Sequence, residues 1–169
     1  KDGSILAGLL VFGKIKAMKE RHIRCDTVPQ LADSIFSAIK TKIFDSIEVY
    51  TPSYWAIKAA FDTLEFDQGE RFVMIKQQYI VHHLWKQNKI LQKKARLNHI
   101  NLKYIERDKT NIRYGKHKEG YPFAMVTMYC SRGSKKFIIT FVAMKVLEHW
   151  YIADELELKF LDEVPSFLR

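Results

Sequence analysis

Three sets of side chains could carry chemistry in this sequence: a run of lysines and arginines, six scattered histidines, and one aspartate out of step with its neighbours. From Lys86 to Lys118 eleven Lys or Arg stand against Glu106 and Asp108 alone, a surplus equal to the net charge of +9, so the rest of the chain sums to zero. Glu148 to Glu163 then carries six acids against Lys159. A molecule divided in this way attracts polyanions, whether nucleic acid, an anionic surface or an acidic protein. Lys86, Lys89, Lys93, Lys94, Arg96, Lys103, Arg107 and Arg113 are the candidate contacts. Tyr104, Tyr114 and Tyr121 lie among them, and bases stacked on aromatic rings beside cations are how sequence-tolerant single-strand binders work. No RNP, KH or zinc-finger signature accompanies them, so nucleic acid is not the favoured partner at this level. A solvated basic hairpin is the preferred reading.

No two of His22, His82, His83, His99, His117 and His149 stand four apart, the spacing that sets a metal pair on one helix face, and no metal or cofactor is assigned. His83 points to the apolar side of its helix beside Tyr79, where a hydrogen-bonded core histidine is the expectation rather than a catalytic one. Asp154 falls on the apolar side of its strand by strict alternation. Buried there, it would have the raised pKa that suits proton transfer, but a bulged or strand-end carboxylate reaching solvent is preferred. Gly8, Gly13 and Lys14 nearly form a Walker A loop. Ile15 lacks the hydroxyl that would hold Mg²⁺, and the loop would contain Leu9, Leu10, Val11 and Phe12, which rejects the match. Cys25 and Cys130 have no ligand-like spacing; two buried thiols are expected, with one disulfide as the alternative.

The elements that must position these groups follow from length and periodicity. With 169 residues, 47% of them apolar, one core is expected: residues 1–26 as an N-terminal extension and 27–169 as a single domain. The apolar run Ile5–Gly13 falls short of the roughly 20 residues that span a bilayer, so it reads as a buried strand or helix. The sequence opens on Lys1, which leaves the cytoplasm and export after processing both open.

Thr27, Pro29 and Gln30 form a helix start, followed by Leu31, Ile35, Ile39, Ile43 and Ile47 at every fourth position. Thr51–Pro52 repeats that start for a short helix. A long helix is predicted over Glu70–Leu97, enclosed over Phe72–Trp85 and protruding into water beyond Lys86. Ile100, Leu102 and Tyr104 alternate as a strand, as do Phe123 to Cys130. Ser131–Ser134 turns into a central strand ending at Val146, and Trp150–Phe160 completes the meander. The expected class is α+β, with N-terminal helices packed on the concave face of a C-terminal twisted antiparallel sheet of at least four strands.

ADSIFSAIKTKIFDSIEVYTP (Ala32–Pro52) resembles the opening helix of NTF2-like, or SnoaL-like, domains. KKFIITFVAMKVLEHWYIADELEL (Lys135–Leu158) is similar to their last two strands, where a tryptophan follows the turn and an acid comes shortly after. The resemblance covers about a quarter of the chain, is nearest to uncharacterised bacterial members, and brings no catalytic signature. It implies a cavity between helices and sheet, for which Tyr54, Trp55, Tyr79, His83, Tyr129 and Asp154 are the candidate lining residues. It also implies, by analogy, pairing through the open sheet face as a homodimer. The leading expectation is a non-enzymatic binding or assembly module holding a small apolar ligand or a protein partner. Polyanion binding through 86–118 and acid–base chemistry of isomerase or dehydratase type are the alternatives.

Overall fold

Thr27 starts the first helix as its chemistry requires: its Oγ1 accepts from Gln30 N–H at 3.3 Å, and Pro29 occupies the first turn. The Gln30 side chain reaches back past Thr27, its Oε1 accepting from Asp26 N–H at 2.9 Å, so a second free donor is satisfied. This is the opening of a computed structural model that describes residues 22–63, 70–118 and 120–163, with the side chains at 61, 63 and 70–75 outside that description. The Ile5–Gly13 run, the near-match around Gly8 and Lys14, and the expected core roles of Phe72, Val73, Met74 and Ile75 therefore lie outside it.

Helix α1 (Val28–Thr41) buries Leu31, Ile35 and Ile39 on one face. It stops earlier than its periodicity predicts. Lys42 takes a left-handed conformation (φ 63°), its N–H donating to Ile39 O, and the stripe breaks there: Ile43 is 59% exposed, while Ile47 returns to the core on the short α2 (Asp45–Glu48). Thr51 closes this segment, its Oγ1 donating to Glu48 O at 2.7 Å. The cap of α3 (Tyr54–Thr63) is instead Ser53, whose Oγ accepts from Ala56 N–H at 3.1 Å.

Helix α4 spans Glu70–Leu97, the predicted bounds. Over its described side chains it is neither enclosed nor protruding. Ile80, Leu84, Leu91 and Ala95 form one buried face, while Tyr79 (61% exposed), Trp85, Ile90 and Leu97 face out. The helix lies along the sheet instead of leaving it, packed mainly on the last strand. Ile100–Tyr104 is not a strand. Asn101 accepts from Lys103 N–H through its side chain and begins a 3-10 turn, Leu102–Tyr104, which buries Leu102.

The sheet is an antiparallel meander in the order β1 (Glu106–Lys116), β2 (Pro122–Arg132), β3 (Lys135–Val146), β4 (His149–Phe160). Gly133, at φ 58°, supplies the turn between β2 and β3. The fold is thus α+β, with N-terminal helices and a C-terminal open sheet. Among the described residues no helix is long and apolar enough to cross a membrane.

In β4 the pairing slips twice: Ala143 faces Ile152, Val142 faces Asp154, and Thr140 faces Glu157. Two one-residue slips restore the phase, which keeps Ile152, Leu156 and Leu158 on the core face and leaves Ala153 and Glu155, on either side of Asp154, without a partner in the register. The outer edge of β4 is covered at its start, where Trp150 N–H donates to Cys25 O (2.8 Å) and Ile152 N–H to Tyr50 O (3.0 Å). Cys25 and Cys130 are both buried and free, not bridged.

Candidate functional site

The C-terminal ends of α1 and α4 meet over the 3-10 turn. Helix α4 ends in a Schellman motif with His99 in the left-handed position (φ 55°): His99 N–H donates to Arg96 O (3.0 Å) and Ile100 N–H to Ala95 O (2.8 Å). Ile100 and Ala95 are both buried, the apolar contact that accompanies this ending. Gln92 ties the two helix ends together, its Nε2 donating to Lys42 O at 3.0 Å. Between them opens a cleft of about 880 Å³, with Lys42, Lys89, Lys93, Arg96 and His99 on its walls and Ile100 and Leu102 at its apolar side.

Lys89, Lys93 and Arg96 follow one another at i, i+4 and i+7, and Lys86 and His82 extend the same row toward the N-terminus, all exposed. The row lies opposite the buried face of Leu84, Leu91 and Ala95. Among the described residues no carboxylate lines the cleft, and none stands within ion-pair distance of Lys42, Lys89, Lys93, Arg96 or His99. Lysines near helix C-termini are favoured by the helix dipole, which accounts for part of the clustering. Each helix end contributes only about half a negative charge, so two ends leave four formal cations well in excess.

The other basic candidates are placed elsewhere. Lys94 pairs with Glu163 (2.6 Å), whose carboxyl is held below its usual range chiefly by that bond and by the N–H of Phe160. Arg107 pairs with Asp33 (2.5 Å) and lies over the Phe36 ring. Arg113 opens onto the sheet face away from the helices, in a separate 230 Å³ depression that also holds Glu155, Lys159 and Glu163. Lys103 accompanies Tyr104 beside the cleft. The basic residues of β1, of which Arg107 has an ion pair, and the α4 row stand on different elements. Lys42, Gln92 and His99 were not among the sequence candidates. The signal for Lys42 and His99 was a polar side chain just past each helical pattern, with no glycine to end it.

The six cavity candidates do not line one cavity. Tyr79, His83 and Asp154 do come together: the first two rings stack at 5.6 Å, and His83 Nε2 lies 3.1 Å from Asp154 Oδ1. Tyr54 and Trp55 pack edge to face on α3 (5.1 Å), and Tyr129 lies across the sheet beneath Lys109 (4.4 Å). Fully buried side chains including Leu31, Ile35, Leu84, Phe137, Phe141 and Ile139 occupy the space between helices and sheet.

The polar cluster at Asp154 serves the bulge. Asp154 Oδ1 accepts from Glu155 N–H (2.6 Å) and Gln87 Nε2 (2.8 Å), and Gln87 Oε1 accepts from Leu156 N–H (3.0 Å). These are the backbone donors that the slipped pairing leaves open. Neither thiol is suited to nucleophilic chemistry, because burial pushes Cys130 up to about 12 and raises Cys25 as well. No group of His, Cys, Asp or Glu that could hold a metal ion is present among the described residues. No family model, curated protein sequence or solved structure matches the chain.

Proposed function

We propose that this chain is a non-enzymatic binding module whose site is the cleft between the ends of α1 and α4 and whose ligand is a polyanion. The observation that carries this reading is the set of cations gathered without counter-charges among the described residues: Lys42, Lys89, Lys93 and Arg96, with Lys86 continuing the row. Like charges three and four apart on a helix each cost it about 0.2–0.5 kcal/mol, so the row weakens the bare protein and is relieved by an anion. A small apolar ligand is less well supported, since the helix–sheet interior is occupied by the protein's own side chains. Acid–base catalysis is less well supported too, since the His83 and Asp154 groups are engaged at the bulge. The order of helices followed by a meander is compatible with the NTF2-like resemblance, which we keep as the reading of its family.

The test is binding of heparin, followed by fluorescence anisotropy across a salt series. Each phosphate or sulfate contact steepens the fall of log K with log salt by roughly 0.9, taking the slope for DNA as a guide. Replacing Lys89, Lys93 and Arg96 together by Gln should therefore flatten the slope by about 2–3 and lower affinity roughly a hundredfold at ~0.15 M salt. The melting temperature should not fall. Absence of binding by the unaltered protein at low salt would refute the proposal.

A further inference from the structure

Tyr104 closes the same 3-10 turn whose Leu102 lines the cleft, and the residue is 51% exposed. Two cations attend that ring: Lys103 Nζ at 5.6 Å and the Arg132 guanidinium carbon at 5.2 Å from its centre. Toward the other end of the α4 row stands Trp85, 37% exposed, with Lys89 Nζ 3.9 Å over its ring and His82 stacked on it at 5.7 Å. From Lys86 to Arg96 the row runs about 15 Å, at ~1.5 Å per helical residue. Cations set out in a line fit a linear polyanion better than a compact one.

An aromatic face beside that line discriminates further among linear polyanions. Polyphosphate and sulfated sugars offer nothing to stack, an acidic peptide offers carboxylates without π-faces, and a duplex keeps its base faces inside. A single strand presents both phosphates and free base faces. The other tyrosines of the basic segment are differently placed. Tyr114 packs against Trp150 at 5.9 Å, and Tyr121 stacks on His117 at the far end of the β1–β2 hairpin, roughly 33 Å along the strand at ~3.3 Å per residue. Glu106 and Ser131-bonded Asp108 lie just beyond Tyr104, so that end contributes a stacking face more than charge.

We infer that the polyanion is single-stranded nucleic acid, its phosphates following Lys86, Lys89, Lys93 and Arg96 with Lys42 opposite, and a base resting on Tyr104. This rests on the cleft being the anion site, and its test separates the two claims. With the full chain, the probes are a labelled oligothymidylate, a duplex of the same length, inorganic polyphosphate and oligoglutamate. The oligothymidylate should bind most tightly. Tyr104→Ala should weaken it roughly tenfold, the usual worth of one stacked base, and leave polyphosphate binding within about twofold. Tyr104→Phe should restore the oligonucleotide. If polyphosphate, oligoglutamate or the duplex binds as tightly as the single strand, or if Tyr104→Ala changes nothing, the single-strand inference is overturned while the anion site stands. If no probe binds at low salt, both fail.

Discussion

Helix α4 carries two polar clusters only a few residues apart, and their difference is instructive. At His83 and Gln87 the polar contacts close within the protein: His83 Nε2 meets Asp154 Oδ1, which also accepts from Gln87 and Glu155 N–H, and Gln87 accepts from Leu156 N–H. At Lys89, Lys93 and Arg96 the side chains line a cleft that offers them no acid among the described residues. The first arrangement completes a strand whose ladder is interrupted. The second is complete only when something else is bound. Partner accounting, more than residue type, separates them, for a histidine–aspartate pair looks the more chemical of the two on paper.

The largest effect on stability should come from breaking the satisfied cluster. Gln87→Ala removes the acceptor for Leu156 N–H, and Leu156 is fully buried, so the loss should be about 1–3 kcal/mol, the cost of an unsatisfied buried donor. Urea unfolding measures it. A loss below about 0.3 kcal/mol would mean that water or a shifted side chain takes over, and the contrast with the cleft would lose its basis.

The next effect sharpens the cleft side. His99 holds a left-handed conformation that glycine adopts without strain, so His99→Gly should raise stability by about 0.5–1 kcal/mol, visible as a higher melting temperature. It should also weaken polyanion binding slightly, because the imidazole leaves the wall of the cleft. A fall in stability would show instead that the His99 ring makes contacts that outweigh its backbone strain.

Much of this was legible in the residues themselves, and the failures have physical causes. Thr27, Pro29 and Gln30 marked the start of α1 because capping is a local interaction, and Glu70–Leu97 was bounded correctly because nothing inside it breaks a helix. The end of α1 was missed because Lys42, a residue with no turn preference, takes the left-handed position that usually announces itself as glycine. Ile100, Leu102 and Tyr104 alternate like a strand, yet the Asn101 side chain captures Lys103 N–H and coils the segment. Asp154 looked misplaced on an apolar strand face. Two register slips, which depend on the partner strand, explain it. The cleft could be read only in part, since Lys89, Lys93 and Arg96 are near in sequence while Lys42 reaches them through tertiary packing and the Gln92 bond.

The smallest predicted effect is the most discriminating between the two clusters. Lys93 has like-charged neighbours at Lys89, four residues before it, and at Arg96, three after it. Neutralising it as Lys93→Gln removes two repulsions of about 0.2–0.5 kcal/mol each and gives up no described ion pair, so unfolding free energy should rise by about 0.5 kcal/mol at low salt and less at high salt. The same change should lower heparin affinity roughly fivefold at ~0.15 M salt, the share of one backbone contact. Opposite signs for stability and binding are the mark of charges arranged for a ligand rather than for the fold. Were Lys93→Gln to destabilise the protein as Gln87→Ala does, Lys93 would have a partner inside the molecule, and the two clusters on α4 would be of one kind.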